Sequence, residues 1–416
     1  MEFADKPTFT VAGVTDWTAA GGHGSDSSLR TSEALTRETL TLKPGDEQHS
    51  TATLTSAAGE ANESETRLRA ALAAAPREFE PNHKLGEFYL HAGKYAESVG
   101  PLQAAYQIDP VNVGNEYELA LALNEAGDLP QAREHIQKSL AHGESAELHR
   151  LAGEIYEKSG DPLSAVHEFE QAVRMDPSEQ NYFEWGSELL LHRAVLQAEQ
   201  VFTTGATAYP KSSRMLAALG TALFANARYD DAALRLCAAS GMNPADPEPY
   251  IFMGKIEMAA PNPLPCVEEK LARFAKDQPG NALANYFYAM ALWKGQSQPV
   301  DPKVLHQVET LLNKAVAIDN HCADADLQLG ILSASQRSYE KAIGYYLKAI
   351  EANPQLAEAH YRLGMAYDRI GEPENAKREF QLHDEIKKRQ AAEIDRQRRE
   401  VKQFLVEGQP TFPAAH

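Results

Sequence analysis

The sequence predicts an all-α fold of stacked antiparallel helix hairpins, and three observations carry that reading. Small residues recur at Gly86, Ala120, Gly153, Gly186, Gly220 and Gly254, in steps of 34, 33, 33, 34 and 34. A second ladder, Ser98, Ala132, Ala165, Ala198 and Ala232, keeps matching steps. Prolines at Pro110, Pro177, Pro210, Pro244 and Pro279 close most of the units, because proline cannot continue a helix interior. Such a period marks a supersecondary unit repeated along the chain. A side chain larger than Ala where two paired helices cross would push their axes apart, so the small ladders mark those crossings.

Taken in order, residues 1–45 differ from the rest. Residues 8–18, TFTVAGVTDWT, are rich in β-branched residues and predict a short strand or extended arm. A glycine-rich loop and a first helix over 27–42 follow. Residues 46–63, rich in Ser, Thr, Ala, Glu and Gly, read as a flexible linker. The repeat array runs over 64–383 in about nine units, opening on an Ala- and Leu-rich helix at 64–75 that ends at Pro76. The clearest copy, residues 146–178, sets small Gly153, turn Gly160, small Ala165 and closing Pro177 in sequence. Two units carry insertions, near 259–266, where Pro261, Pro263 and Pro265 crowd a turn, and near 294–303. Residues 384–405 predict a charged C-terminal capping helix with a thin stripe of Ile386, Ile394, Val401 and Leu405. Residues 406–416 read as a tail.

The chain has 416 residues, more than one compact core normally holds, and an array avoids that limit because each unit packs only on its neighbours. A net charge of −19 disfavours nucleic-acid binding, which needs a basic footprint. No apolar run is long enough to span a membrane. The first residues lack a basic n-region and an apolar h-region. The expected location is therefore cytoplasmic as the sequence stands, and periplasmic or secreted if a leader is missing. Cys237, Cys266 and Cys322 match no metal or redox spacing and are too few for a disulfide framework. Cys237, in an Ala-rich helix, reads as a small buried hydrophobe.

On these ladders, together with Leu85, Tyr89, Tyr95, Leu219, Tyr229, Leu329, Tyr339, Leu363 and Tyr367, the chain resembles the tetratricopeptide repeat (TPR) superfamily over roughly 64–383. The N-terminal segment also looks like a leader seen ahead of TPR arrays in some bacterial proteins. The resemblance implies a right-handed α-solenoid whose first helices line a concave groove. It implies a protein-interaction scaffold or adaptor, without catalysis, that holds a peptide or protein segment. Projected from the ladder, the groove residues are Tyr117, Arg150, Glu154, Phe183, Phe252, Tyr286, Met290, Trp293, Tyr361 and Met365. They are mostly aromatic, apolar or acidic, which suits an apolar or aromatic-anchored segment better than a carboxylate clamp of Lys and Asn. Glu154 and Glu157 would suit a basic residue in that ligand. The run from Tyr286 to Trp293 is expected to be partly exposed, because an inserted loop follows it.

Catalytic and cofactor motifs are incomplete. His167-Glu168 begins like HExxH, but Gln171 stands where the second His would complete a metal's ligand pair. Asp16, His23 and Asp26 lack a defined frame for a cation. There is no nucleophile elbow, phosphate loop or haem-attachment motif, so neither enzyme activity nor a cofactor is expected. The alternative function is an accessory subunit of an enzyme or secretion complex that docks through the N-terminal arm, adding a strand to a partner's sheet edge.

Overall fold

In the computed structural model, residues 63–296 and 300–407 are described, with side chains through residue 396. The extended arm, the glycine-rich loop, the first helix over 27–42, nearly all of the 46–63 linker, and residues 408–416 of the tail lie outside that range. The described residues hold helices and turns and no strand. No helix among them is long and apolar enough to cross a membrane. They divide into two compact units, one ending at Asn181 and the other beginning at Tyr182.

The first unit holds α1 (63–74), α2 (Phe79–His91), α3 (Tyr95–Ile108), α4 (Val113–Ala126), α5 (Leu129–His142), α6 (Ala146–Lys158) and α7 (Pro162–Met175). The second holds α8 (Glu179–Leu191), α9 (Val195–Ala208), α10 (Ser213–Ala225), α11 (Tyr229–Met242), α12 (Glu248–Ala259), α13 (Val267–Asp277), α14 (Ala282–Lys294), α15 (Pro302–Ile318), α16 (Ala323–Ser335), α17 (Tyr339–Ala352), α18 (Ala357–Arg369) and α19 (Pro373–Glu407).

Local chemistry starts and stops these helices. Asn112, Asp128, Ser145, Asp161, Ser212, Asn281 and Asp301 each accept a backbone N–H of the first turn, satisfying donors the helix cannot. The ladder prolines stand two residues beyond helix ends, as Pro110 does after Ile108 and Pro177 after Met175. The tight turns within hairpins need one left-handed residue. Gly93, Gly127, Gly160 and Gly371 supply it, and Arg193, Ala227 and Arg337 adopt it against their Cβ.

Both ladders mark the crossings. An added Cβ on Gly153 would meet the Phe169 ring at 2.8 Å, on Gly186 the Phe202 ring at 2.5 Å, and on Gly330 the Tyr346 ring at 2.3 Å. In each case the filling side chain lies on the hairpin's own second helix. The partner ladder is sealed too, with Ser98, Ala132, Ala165, Ala198 and Ala232 all at 0% exposure.

The hairpin α12/α13 breaks this rule. Gly254 is filled by Phe287 of α14, at 2.1 Å from an added Cβ. Accordingly α12 packs more extensively on α14 than on α13. The proline-crowded link of 260–266 accompanies the change: it is longer than the turns of the regular hairpins, with its left-handed residue, Cys266, at its end. At the C-terminus, the expected capping helix is the continuation of α19, which runs unbroken from Pro373. Nothing between residues 383 and 384 breaks a helix there. Ile386 is buried, whereas Val401 and Leu405 lie beyond the described side chains.

The reading of Cys237 as a lone buried hydrophobe is corrected. Cys237 on α11 is bonded to Cys266, the residue that precedes α13, with Cα atoms 6.5 Å apart. Three cysteines do not make a framework, but the repeat brings two of them together across 29 positions. Cys322 is free and buried, and burial pushes its thiol up to about 11.

Candidate peptide-binding groove

Within the first unit, α4 lies against both α2 and α6, so successive first helices form a continuous surface. Three projected residues meet there. Arg150 and Glu154, one turn apart on α6, pair at 2.8 Å with side chains 22% and 12% exposed. Tyr117 of α4 is half-buried beside them. Burial raises its phenol pKa above the usual value, against the pull of Arg150. Glu154 and Arg150 therefore form a fixed, charged wall next to an aromatic ring.

Tyr117 also lines an open cavity of about 420 Å³ with Val113, Gly114, Gly143, Glu144, Ser145, Glu147 and Leu148. Its apolar lining comes from Val113, Leu148 and the Tyr117 ring. Glu144 and Glu147 stand exposed beside it. Of these residues only Tyr117 was legible in the sequence. The signal for the others was weak: Val113 is an exposed apolar residue on the first turn of a helix, 39% accessible.

A fourth carboxylate, Glu118, sits half-buried on α4 with His83 at 3.4 Å. Burial, with Glu87 adding to it, raises its pKa. Glu168, part of the incomplete HExxH, holds His149 of α6 at 2.6 Å. The pair ties α7 to α6.

In the second unit the projected residues fall into three settings. Phe183 is half-buried, with the Arg214 guanidinium 3.7 Å over its ring. Phe252 is half-buried, with the Lys255 ammonium 5.4 Å from its ring centre. Both rings thus carry a cation on one face. Tyr361 and Met365 are each 38% exposed on α18, one turn apart, with Tyr361 against Phe380 and His383.

Tyr286, Met290 and Trp293 correct the expectation of partial exposure: they are 2%, 1% and 6% exposed. The Tyr286 hydroxyl reaches the Met258 sulfur at 3.5 Å. Burial drives the Tyr286 phenol well above its usual pKa. The physical reason is visible in α14 itself, ALANYFYAMALWK, which has hardly a polar face. A helix apolar all round is a core helix, and here it must fill the Gly254 notch as well as pair with α15. Asp16, His23 and Asp26 lie outside the described residues.

Tetratricopeptide repeat models match residues 52–113, 117–180, 310–357 and 345–378. The chain is a tetratricopeptide repeat protein. No curated protein matches it in sequence. Among solved structures this TPR chain is similar to the C-terminal part of a TPR repeat-containing protein from Cytophaga hutchinsonii, at 14% identity and TM-score 0.46, covering 69% of this chain and 99% of that one. It is similar to yeast Tom70 at 12% identity and TM-score 0.42, covering 88% and 98%. It is also similar to YrrB, titled a TPR protein with an unusual peptide-binding site, at 15% identity and TM-score 0.37, covering 44% and 95%.

Proposed function

We propose that this TPR protein is a non-catalytic scaffold that docks an extended peptide or protein segment across α4 and α6. The open cavity beside Tyr117 carries this reading. It offers an apolar socket for one anchor side chain, and anchors of that kind dominate peptide affinity. The Arg150–Glu154 pair supplies a donor and an acceptor next to the socket, which orients the segment. Exposed Glu144 and Glu147 favour a basic residue beside the anchor, as does the charge of −19 over the whole chain.

Val113→Asp places a charge in the socket at a part-exposed position. Against a peptide selected from a random display library, it should weaken binding about tenfold or more, while Tyr361→Ala on α18 leaves affinity unchanged. Selection of peptides that bind wild type and Val113→Asp equally would refute the site.

We also infer that the chain works in an oxidising compartment and not in the cytoplasm. The Cys237–Cys266 bond supports this, because such bonds persist where thiols are not kept reduced. Alkylation of thiols in intact cells, followed by fractionation, checks it: free Cys237 and Cys266 in the native location would be incompatible with the inference.

A further inference from the structure

The regular hairpins are closed by a side chain of the second helix seated on the small residue of the first, as Phe202 is on Gly186 and Leu236 on Gly220. That contact is missing between α12 and α13, where Phe287 of α14 occupies the Gly254 notch. What holds α13 is different in kind. Phe274 of α13 stacks on Tyr250 of α12 with ring centres 4.6 Å apart. The residue ahead of α13, Cys266, is bonded to Cys237 of α11, one hairpin earlier. The link itself is pinned at its start: Lys294 of α14 donates to the Ala260 carbonyl at 2.7 Å, and the Leu264 N–H donates to the Glu257 carboxylate at 3.1 Å. The remaining link residues Pro261, Asn262, Pro263 and Pro265 are exposed.

We propose that the Cys237–Cys266 bond is a redox latch that seats α13 on α11 in place of the missing notch contact. Cys266 is half-exposed, whereas Cys237 is buried on the α11 side, so the Cys266 side is the one a reductant would approach. Opening the latch takes two electrons and two protons from a dithiol, which leaves as its own disulfide. Closing it returns them to a disulfide oxidant by exchange. With the bond open, α13 keeps the Tyr250–Phe274 stack and its packing on α14 but loses its covalent tie to α11, and the stretch from 261 to 277 loosens while α10 and α11 stay folded. A bond that closes a loop of this length acts chiefly by restricting the loosened chain, so the effect is local.

The test uses the full chain. Alkylation of the denatured, non-reduced protein should modify Cys322 alone, and after reduction all three cysteines. Hydrogen exchange is then compared with and without a dithiol. Exchange over residues 261–277 should rise about tenfold or more on reduction, with residues 213–225 unchanged. Cys322→Ala should respond identically. Cys237→Ser with Cys266→Ser should behave as the reduced protein, and if that variant does not fold, the reduced wild type still decides. Three reactive thiols before reduction would overturn the proposal. So would exchange that is unchanged, or that rises evenly along the chain.

Discussion

Lys294 ends α14 with its side chain only 5% exposed, facing Glu257 at 3.5 Å with 4% exposed. Burial lowers the Lys294 pKa and raises that of Glu257, and each partner's charge opposes the shift of the other. Removing one member leaves the other charge buried without its ion-pair partner, with the Leu264 N–H on Glu257 or the Ala260 carbonyl on Lys294 offsetting part of the loss. Lys294→Met should cost about 3–5 kcal/mol, and adding Glu257→Gln should recover much of it, read by chemical denaturation. Glycines make an equally sharp residue-scale case. Gly254→Ala drives a Cβ into the Phe287 ring and should destabilise by about 1–3 kcal/mol or more. Gly241→Ala on α11 meets nothing within 4 Å and should stabilise by about 0.5–1 kcal/mol. Equal effects at the two positions would show that the crossing is not as tight as described.

At the scale of elements, α14 decides how a run of aromatics is read. Tyr286→Ala with Trp293→Ala empties two core positions and should cost about 3–5 kcal/mol for each ring removed. The melting transition of the second unit should collapse. A variant that keeps its melting temperature would return these rings to the surface. The contrast with α4 and α6 shows what was legible. On α6 apolar and polar residues segregate at helical spacing, so Arg150 and Glu154 could be placed on one side by counting, and Tyr117 of α4 was placed by its offset from the ladder residue Ala120. In α14 hardly any polar face exists to mark a side, and counting from Ala289 assigns a groove face that packing has consumed. The helix ends and small ladders were legible because caps, prolines and crossings are local or periodic. The Cys237–Cys266 bond was not, since it joins two hairpins through a link that departs from the period. The cavity beside Tyr117 depends on how α4 and α6 leave space between them, which no spacing encodes.

For the whole molecule, the docking reading and the arm-docking alternative separate cleanly. A chain lacking residues 1–45 should bind a groove-selected peptide within about twofold of wild type, measured by calorimetry, because among the described residues the α4–α6 site is built from positions 113–154. Loss of binding would favour the arm. Affinity should also fall with added salt if a basic peptide residue lies against Glu144 and Glu147, since exposed pairs are screened within about 10 Å at 0.1 M salt.

The Phe287 ring in the Gly254 notch has a consequence for how such a chain can grow or shrink. A hairpin that fills its own notch and carries no cross-link is a self-contained cassette, and α16/α17 could be duplicated or deleted with one seam to mend. The hairpin α12/α13 has lent its notch to its successor, and its own second helix is fastened to its predecessor. Cut out alone, it would leave α14 with an unhoused ring and α11 with an unpaired thiol. The smallest heritable block in this part of the array is therefore residues 213–318, three hairpins that must be gained or lost together.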